Sequence, residues 1–329
     1  MKVLFIGGTG VISSACSQLA VERGIDLYML NRGQTKRPAP AAAKVLHGDI
    51  RSKDSVNRIL DKMTFDVVVD WVAFTLAHIE TDFELFRRRT KQYIFISSAS
   101  AYQKPPASLP ITESTPLSNP FWKYSQDKIA CEQLLMRLFD RDGFPVTIVR
   151  PSHTYDRTTL PMDGGYTVLN RMRLGKKVIV HGDGSSLWPL THHRDFAKGF
   201  VPLLGSNRAI GEAFHITSDE FLSWNRIFEI VAAAAGTKPR IVHVSSDCIA
   251  SFDPQWGAGL LGDKAHSVIF DNTKIKSIVP DYAATISFAD GAKEIISWFD
   301  SNPSHQVVNE ETDRMIDKII TACECLATT

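Results

Sequence analysis

Apolar and polar positions in the first 150 residues fall into two alternating kinds of block. Short, nearly continuous apolar runs span 3–6, 27–30, 44–46, 66–72 and 93–96. Runs of that length suit strands buried on both faces of a parallel sheet, where β-branched and large side chains pack on the pleat. Between them, apolar residues recur at helical spacing. Ala15, Cys16, Leu19 and Ala20 lead up to Gly24, a second segment starts near Ser52, and two more cover 76–88 and 121–138, the last stopped by Gly143. Glycine just past a periodic stretch is a common helix stop. Asn119-Pro120 reads as N-cap and first turn of the fourth helix. Strand and helix alternating five times predict an α/β fold with a doubly wound parallel sheet.

After Asp156 the alternation is lost. Helix is expected over 167–174, 195–204, 223–235, 271–277 and 287–299, and strand over 177–180 and from Lys238-Pro239 to Val244. Residues 1–165 are therefore expected as a dinucleotide-binding unit and 166–300 as a smaller, mixed α/β substrate-binding unit. Residues 301–329 read as a helical tail. Met315, Ile316, Ile319, Ile320 and Cys323 make an apolar stripe with Asn309 as N-cap, fit to pack on the body or across a dimer.

Composition narrows the function classes. The 329 residues carry a net charge of +1 and are 44% hydrophobic, as in a soluble globular chain with no general pull toward nucleic acid or membrane. No apolar run approaches the ~18 residues needed to span a bilayer, and Val3 opens the first strand with no room for a signal peptide. Five cysteines, odd in number and scattered, predict reduced thiols and a cytoplasmic protein. Cys323 and Cys325 have no companions at ligand spacing, and the adjacent His192 and His193 point to opposite faces of a strand. No metal is expected. Arg87, Arg88 and Arg89 read as a solvated helix end, where cations suit the dipole.

Candidate chemistry begins where the first apolar run meets Gly7, Gly8, Thr9 and Gly10. Strand, glycine turn and helix open a nucleotide-binding βαβ unit. Glycines admit a pyrophosphate close to the backbone, and the N–H groups of a helix start favour its charge. Ser13 stands where the third glycine of the usual spacing belongs, and its small hydroxyl can pack close and bond a phosphate. A plain tight turn is the alternative reading. The second strand ends in Asn31-Arg32, with Lys36 and Arg37 behind. An acidic residue there would bind the adenosine ribose and repel a 2′-phosphate. Its absence, with cations at hand, favours NADP over NAD unless the loop is merely solvated. Asp49 can accept from the adenine amino group or cap the helix that follows.

Tyr124 and Lys128 lie four apart, on one face of the fourth helix. A phenol with an ordinary pKa of about 10 is a poor base at neutral pH. A nearby ammonium, or an oxidised nicotinamide ring, favours phenolate. Such a tyrosine can take a proton from an alcohol while hydride leaves for a cofactor, or return one in the reverse step. Tyr-x-x-x-Lys is common by chance. Its place after a glycine turn, a Ser-Ser strand end and an Asn-Pro pair gives it weight.

GGTGVIS at 7–13, HGDI at 47–50, FISSASAY at 95–102, YSQDK at 124–128, VRPSHTYD at 149–156, GDG at 182–184 and HHRDFA at 192–197 follow in order. Over residues 1–300 the chain resembles the extended short-chain dehydrogenases/reductases of the NAD-dependent epimerase/dehydratase group. The resemblance implies a Rossmann-type fold, with residues 191–220 returning to its sheet, and NADP or NAD as cofactor. It implies Ser98 as the hydrogen-bond partner of the reacting oxygen and Tyr124 as acid/base. Lys128 would hold the ribose and lower the tyrosine pKa. Implied cofactor contacts are Gly7, Thr9, Gly10, Val11 and Ile12 at the turn, then Asn31 and Arg32, then Asp49 and Ile50 at the adenine. Val72, Ala73 and Ser97 would line the channel, with Pro151, Ser152 and His153 at the nicotinamide.

Three departures qualify the resemblance. Asp70-Trp71-Val72-Ala73 replaces the usual His-Leu-Ala-Ala and adds a carboxylate near the cofactor. His153 stands where asparagine is frequent, either touching substrate or satisfied within its loop. Trp188 stands where nucleotide-sugar members carry an arginine for the substrate pyrophosphate. It can stack on a sugar but not neutralise a diphosphate, which leaves Arg150, Arg171, Arg173, Lys176 and Lys177 for that task. The variant pattern also resembles the atypical branch that includes chloroplast stem-loop RNA-binding proteins. The expected function is NAD(P)-dependent hydride transfer to or from a secondary alcohol or ketone of a sugar or nucleotide sugar, as in epimerases and dehydratases. The alternatives are an NADPH-dependent carbonyl reductase of a non-nucleotide substrate and an RNA-binding member without turnover. A homodimer is expected, without membrane or nucleic-acid partners.

Overall fold

A computed structural model describes residues 1–327. The first half runs β1 (Lys2–Ile6), α1 (Val11–Glu22), β2 (Asp26–Asn31), β3 (Lys44–His47), α2 (Lys53–Leu60), β4 (Val67–Asp70), α3 (Leu76–Phe86), β5 (Tyr93–Ile96), α4 (Lys123–Asp142) and β6 (Val146–Pro151). It continues through β7 (His153–Tyr155), α5 (Tyr166–Arg173), β8 (Lys177–His181), β9 (Leu187–Trp188), β10 (Leu190–His192), α6 (His193–Phe200), β11 (Ala213–Ile216) and β12 (Leu222–Ser223). The last elements are α7 (Trp224–Ala234), β13 (Arg240–Val244), α8 (Ser246–Phe252), α9 (Pro254–Gly259), α10 (Thr273–Ile278), α11 (Phe288–Ser301) and α12 (Glu310–Ala327).

Seven parallel strands form the main sheet in the order β11-β6-β5-β4-β1-β2-β3. The alternating side chains of β1 show why it is central. Val3 and Phe5 pack with Cys16, Ala20, Phe196 and Phe200 on the face covered by α1 and α6. Leu4 and Ile6 pack with Val56, Leu60, Ile79 and Leu135 on the face covered by α2, α3 and α4. Period-two alternation with both faces apolar gives the continuous runs seen in the sequence. Strand order turns at β1, between β2 and β4, so the crevice beyond their carboxyl ends is where such a sheet binds ligands.

A third apolar cluster gathers the later elements around Val178, Trp224, Ile295 and Ile316. The tail helix belongs to it. Ile316, Ile319 and Ile320 are buried there, and Asn309 Oδ1 accepts from Thr312 N–H at 2.9 Å. The α12 acids also collect neighbouring cations. Arg171 pairs with Asp313 and Asp317, Lys176 with Asp313, and Lys177 with Glu324. The Cys323 thiol stands 3.6 Å from that of Cys248 across α8 and α12.

Element boundaries differ from expectation where side chains have other work. The helix carrying Tyr124 begins at Lys123, not at Pro120. Asn119 Oδ1 accepts from Phe121 N–H and Trp122 N–H, making a turn ahead of the helix rather than its cap. No described helix is long and apolar enough to cross a membrane. Arg87, Arg88 and Arg89 lie between α3 and β5, at the amino-terminal ends of the strands and so opposite the crevice.

Candidate active site

The glycine turn between β1 and α1 owes its shape to two residues. Gly7 has φ +84°, and a Cβ on it would come 2.6 Å from Val72 Cγ1. A side chain there is excluded twice, by backbone conformation and by space. Ser13 ties the turn from inside. Its hydroxyl donates to Gly7 O at 2.8 Å and accepts from Gly10 N–H at 2.8 Å. The expectation that Ser13 bonds a phosphate is corrected. At 2% exposure, with its hydrogen committed to Gly7, it braces the turn that would approach one.

A cleft of about 630 Å³ opens over this turn and is lined by Gly7, Thr9, Gly10, Asn31, Arg32, Asp49, Ile50 and Val72, all nominated from sequence. Val11 is the first residue of α1, directly after Gly10. A glycine cradle ahead of the first turn of a 12-residue helix fits a pyrophosphate. Asp49 Oδ1 accepts from Arg51 N–H at 3.0 Å. Of the three cations after β2, only Arg32 lines the cleft. Arg37 turns to the other side of α1, where it pairs with Asp156 at 2.5 Å and donates to Gly10 O and Ser14 Oγ. The basic-loop argument for NADP thus reduces to Arg32.

The extra carboxylate of Asp70 lies under the cleft, fully buried, and accepts from Val72 N–H at 2.5 Å. Arg51 stands above it, donating to Val72 O at 2.7 Å and lying 4.0 Å from Asp70 and 3.9 Å from Asp82. Burial and the Asp70 charge push the Asp82 carboxyl well up, while the Tyr93 hydroxyl donates to it at 2.7 Å. Sequence reasoning missed Arg51 and Asp82. Nothing in their spacing joins the residue after Ile50 to the middle of α3.

A second cavity, of about 560 Å³, begins where the first ends, with Phe74 lining both. Ser98, Tyr124 and Lys128 line it together with Ile12, Ser97, Pro151, Ser152 and His153. Ser98 is held by its neighbours. Its Oγ accepts from Ser100 N–H at 3.2 Å and lies 2.9 Å from Ser100 Oγ, which accepts from Ser125 at 2.7 Å. Burial pushes the Tyr124 phenol up, and the Ser98 hydroxyl partly offsets this. Lys128 donates to Ala73 O and Ile96 O, each at 2.7 Å, with the rings of Phe74 and Phe95 4.5 and 4.8 Å away. Burial lowers its ammonium to about 8. Burial also lowers His153 to about 4, leaving a neutral imidazole at neutral pH. Ala73 thus reaches the site through its carbonyl. The Ser97 hydroxyl donates to Glu132.

The cations expected to meet a diphosphate are engaged elsewhere. Arg150 grips Glu132 with two nitrogens, at 3.0 and 2.6 Å, and stacks 4.8 Å over the Tyr102 ring. Arg173 pairs with Asp300, and Arg171, Lys176 and Lys177 pair with α12. Among the described residues, no group of three or more His, Cys, Asp or Glu side chains is placed to hold a metal ion.

Comparison with known proteins bears on the family and the fold. The family model described as NAD dependent epimerase/dehydratase family matches residues 3–217. The chain is 28% identical over 257 residues to the chloroplast stem-loop binding protein of 41 kDa b of Arabidopsis thaliana, covering 74% of this chain and 65% of that protein. It is 23% identical to the 2'-dehydrokanamycin reductase of Streptomyces kanamyceticus, covering 76% of this chain and 71% of the relative. Among solved structures, the UDP-glucose 4-epimerase from Bifidobacterium longum in complex with NAD+ and UDP superposes with a TM-score of 0.74. There the identity is 19%, with 93% of this chain and 100% of that one covered. With seven parallel strands, a glycine turn at the switch point and a family match over most of the chain, the protein belongs to the NAD-dependent epimerase/dehydratase family and has the extended short-chain dehydrogenase/reductase fold.

Proposed function

We propose that the protein moves a hydride between a nicotinamide cofactor and a secondary alcohol or ketone of a sugar or nucleotide-sugar substrate, with Tyr124 as the acid/base. The observation that carries this reading is the convergence of Ser98, Tyr124 and Lys128 on one cavity that adjoins the glycine-turn cleft. The residues fit a dinucleotide. Gly7, Gly10 and Thr9 would hold its pyrophosphate, Asp49 and Ile50 its adenine, and Pro151 and Ser152 its nicotinamide. Bound there, the nicotinamide supplies an acceptor or donor for hydride.

The protein's own residues handle the proton. Burial keeps the Tyr124 phenol protonated, so in the unliganded site it is a ready proton donor. To act as a base it needs positive charge nearby. Lys128 supplies that charge when its ammonium leaves the carbonyls of Ala73 and Ile96 for the ribose side of the site. The Ser98 hydroxyl, positioned by Ser100, bonds the substrate oxygen that gains or loses the proton. Trp71, Phe74 and Trp122 line the same cavity and exclude water from the exchange.

Denaturing the purified protein and identifying the released nicotinamide by mass tests the cofactor half of this reading. Retained NAD supports internal recycling, as in an epimerase. An empty site that takes NADPH from solution supports a reductase, and binding of neither dinucleotide would end the proposal. A second reading, RNA binding without turnover, draws support from the plant relative. The expected result of filter binding is no salt-sensitive RNA retention near physiological ionic strength.

A further inference from the structure

One wall of the catalytic cavity comes from outside every motif named above. Residues Leu260–Lys264 wind as a π-helical turn, a wide turn found mostly where function retains it. Gly262 lets this turn lie against the start of α4, because a Cβ there would come 2.7 Å from Trp122 Cβ. The Asn119 amide pins it, donating to Gly262 O at 2.7 Å and to Ser100 O at 2.8 Å. So held, the turn puts Asp263 on the cavity wall beside Tyr124. Behind Asp263 the buried Lys104 ammonium sits 3.1 Å from its Oδ1 and 5.6 Å from the Trp188 ring. Trp188 lines the same cavity at 2% exposure, and its indole N–H has no acceptor. A buried donor without a partner is costly unless a ligand completes it.

The same wall lacks groups for an anion. Lys128 is the one cation among the described lining residues, and its ammonium bonds two carbonyls. A diphosphate entering here would meet the Asp263 carboxylate, and the Lys104 ammonium behind it is already paired with that carboxylate and lines no part of the cavity. A polyhydroxy ring meets what it needs: an acceptor, an N–H donor and the aromatic faces of Trp122 and Phe270 for its C–H surface. The cavity must also house the nicotinamide end of the cofactor, which favours a compact partner.

We infer that the substrate is an unphosphorylated polyhydroxy ring, a free sugar or cyclitol, held through its hydroxyls by Asp263 and Trp188. This rests on the hydride-transfer reading of the site and narrows its substrate class. Lys104 is a positioning residue that fixes the Asp263 carboxylate without touching the ring.

The test is saturation-transfer NMR on the NAD-loaded protein. Glucose, galactose, mannose and myo-inositol serve as neutral probes, and glucose 1-phosphate and UDP-glucose as charged ones. At least one neutral ring is expected to bind about tenfold more tightly than either charged probe. Asp263→Asn should weaken that binding about tenfold and Trp188→Phe about threefold, with NAD affinity held within about twofold. Tighter binding of UDP-glucose or glucose 1-phosphate than of every neutral ring would overturn the inference. So would the absence of neutral-ring binding, or unchanged binding in both variants. If Asp263→Asn does not fold, Trp188→Phe decides. Ring binding without hydride transfer in the wild type would fail the catalytic reading and leave the substrate class standing.

Discussion

The two cavities that meet at Phe74 are built in opposite ways. The cofactor cleft is shaped by backbone: a glycine in the left-handed region, a helix start and three strand ends, most of it within the first 75 residues. The catalytic cavity is shaped by side chains from loops and helices as far apart as Ile12 and Phe270. The difference teaches where each is vulnerable. A backbone-built site fails when a Cβ is added, and a side-chain-built site fails when one functional group is removed.

The largest effect should come from removing one such group. Tyr124→Phe keeps the ring and its packing and deletes the hydroxyl that moves the proton. Turnover should fall by about 10³-fold while NAD affinity stays within about twofold, as read by nicotinamide absorbance and by calorimetry. Unimpaired turnover would remove Tyr124 from the mechanism and end the contrast drawn above.

The reciprocal change is Gly7→Val. It puts a branched side chain at φ +84° and within 2.6 Å of Val72 Cγ1. NAD affinity should fall by about 100-fold and stability by about 2 kcal/mol, the scale of one forced backbone strain. Ser98, Tyr124 and Lys128 stay in place. A thermal melt combined with an NAD titration separates the two losses. Normal NAD binding in this variant would show that the turn does not approach the cofactor.

The contrast also explains what could be read from sequence. The first five strands of the parallel sheet and the glycine-turn cleft were legible because each signal is local, apolar runs and glycines at fixed offsets, whereas β11 was expected only from the family resemblance. Asp263 and Lys104 were not, since 159 positions separate two residues that meet in space. The same blindness left Arg150 and Arg171 looking available for a diphosphate. Their acidic partners lie 18 and 142 or more residues away and are found only by folding the chain. Ser13 was misread for a related reason. A hydroxyl near a phosphate turn carries no mark of the carbonyl that will take its hydrogen.

Lys128 lines the catalytic cavity against Phe74, the residue shared with the cofactor cleft, and its titration tests whether its ammonium is used. Burial sets its folded pKa at about 8, below the ordinary value of about 10.4. Between those values the folded state binds fewer protons than the unfolded chain, so this group makes stability rise with pH. Catalysis that needs the ammonium runs the other way, and kcat/KM should fall as pH climbs through about 8. The expected loss is about tenfold by pH 9. Melting temperature and kcat/KM moving in opposite directions between pH 8 and 9 would identify a buried lysine. A flat kcat/KM over that interval would mean that the ammonium is not used.

The smallest expected effect concerns the choice of dinucleotide, where the cofactor cleft depends on a side chain after all. Arg32 lines the cleft at the end of β2, and Asn31 beside it offers no charge to repel a 2′-phosphate. Arg32 is exposed, so water screens its pairing, and a surface ion pair contributes about 1 kcal/mol or less. Reversing the charge with Arg32→Asp should therefore move the NADP-to-NAD affinity ratio about tenfold toward NAD. Arg37→Gln is the paired control. Its guanidinium faces Asp156 on the other side of α1, so the ratio should not move, although losing that buried carboxylate's partner should lower the melting temperature. Equal shifts from both variants would mean that the whole basic loop acts as a diffuse field. A shift from Arg32→Asp alone would place the discrimination at the one cation of the described basic loop that lines the cleft.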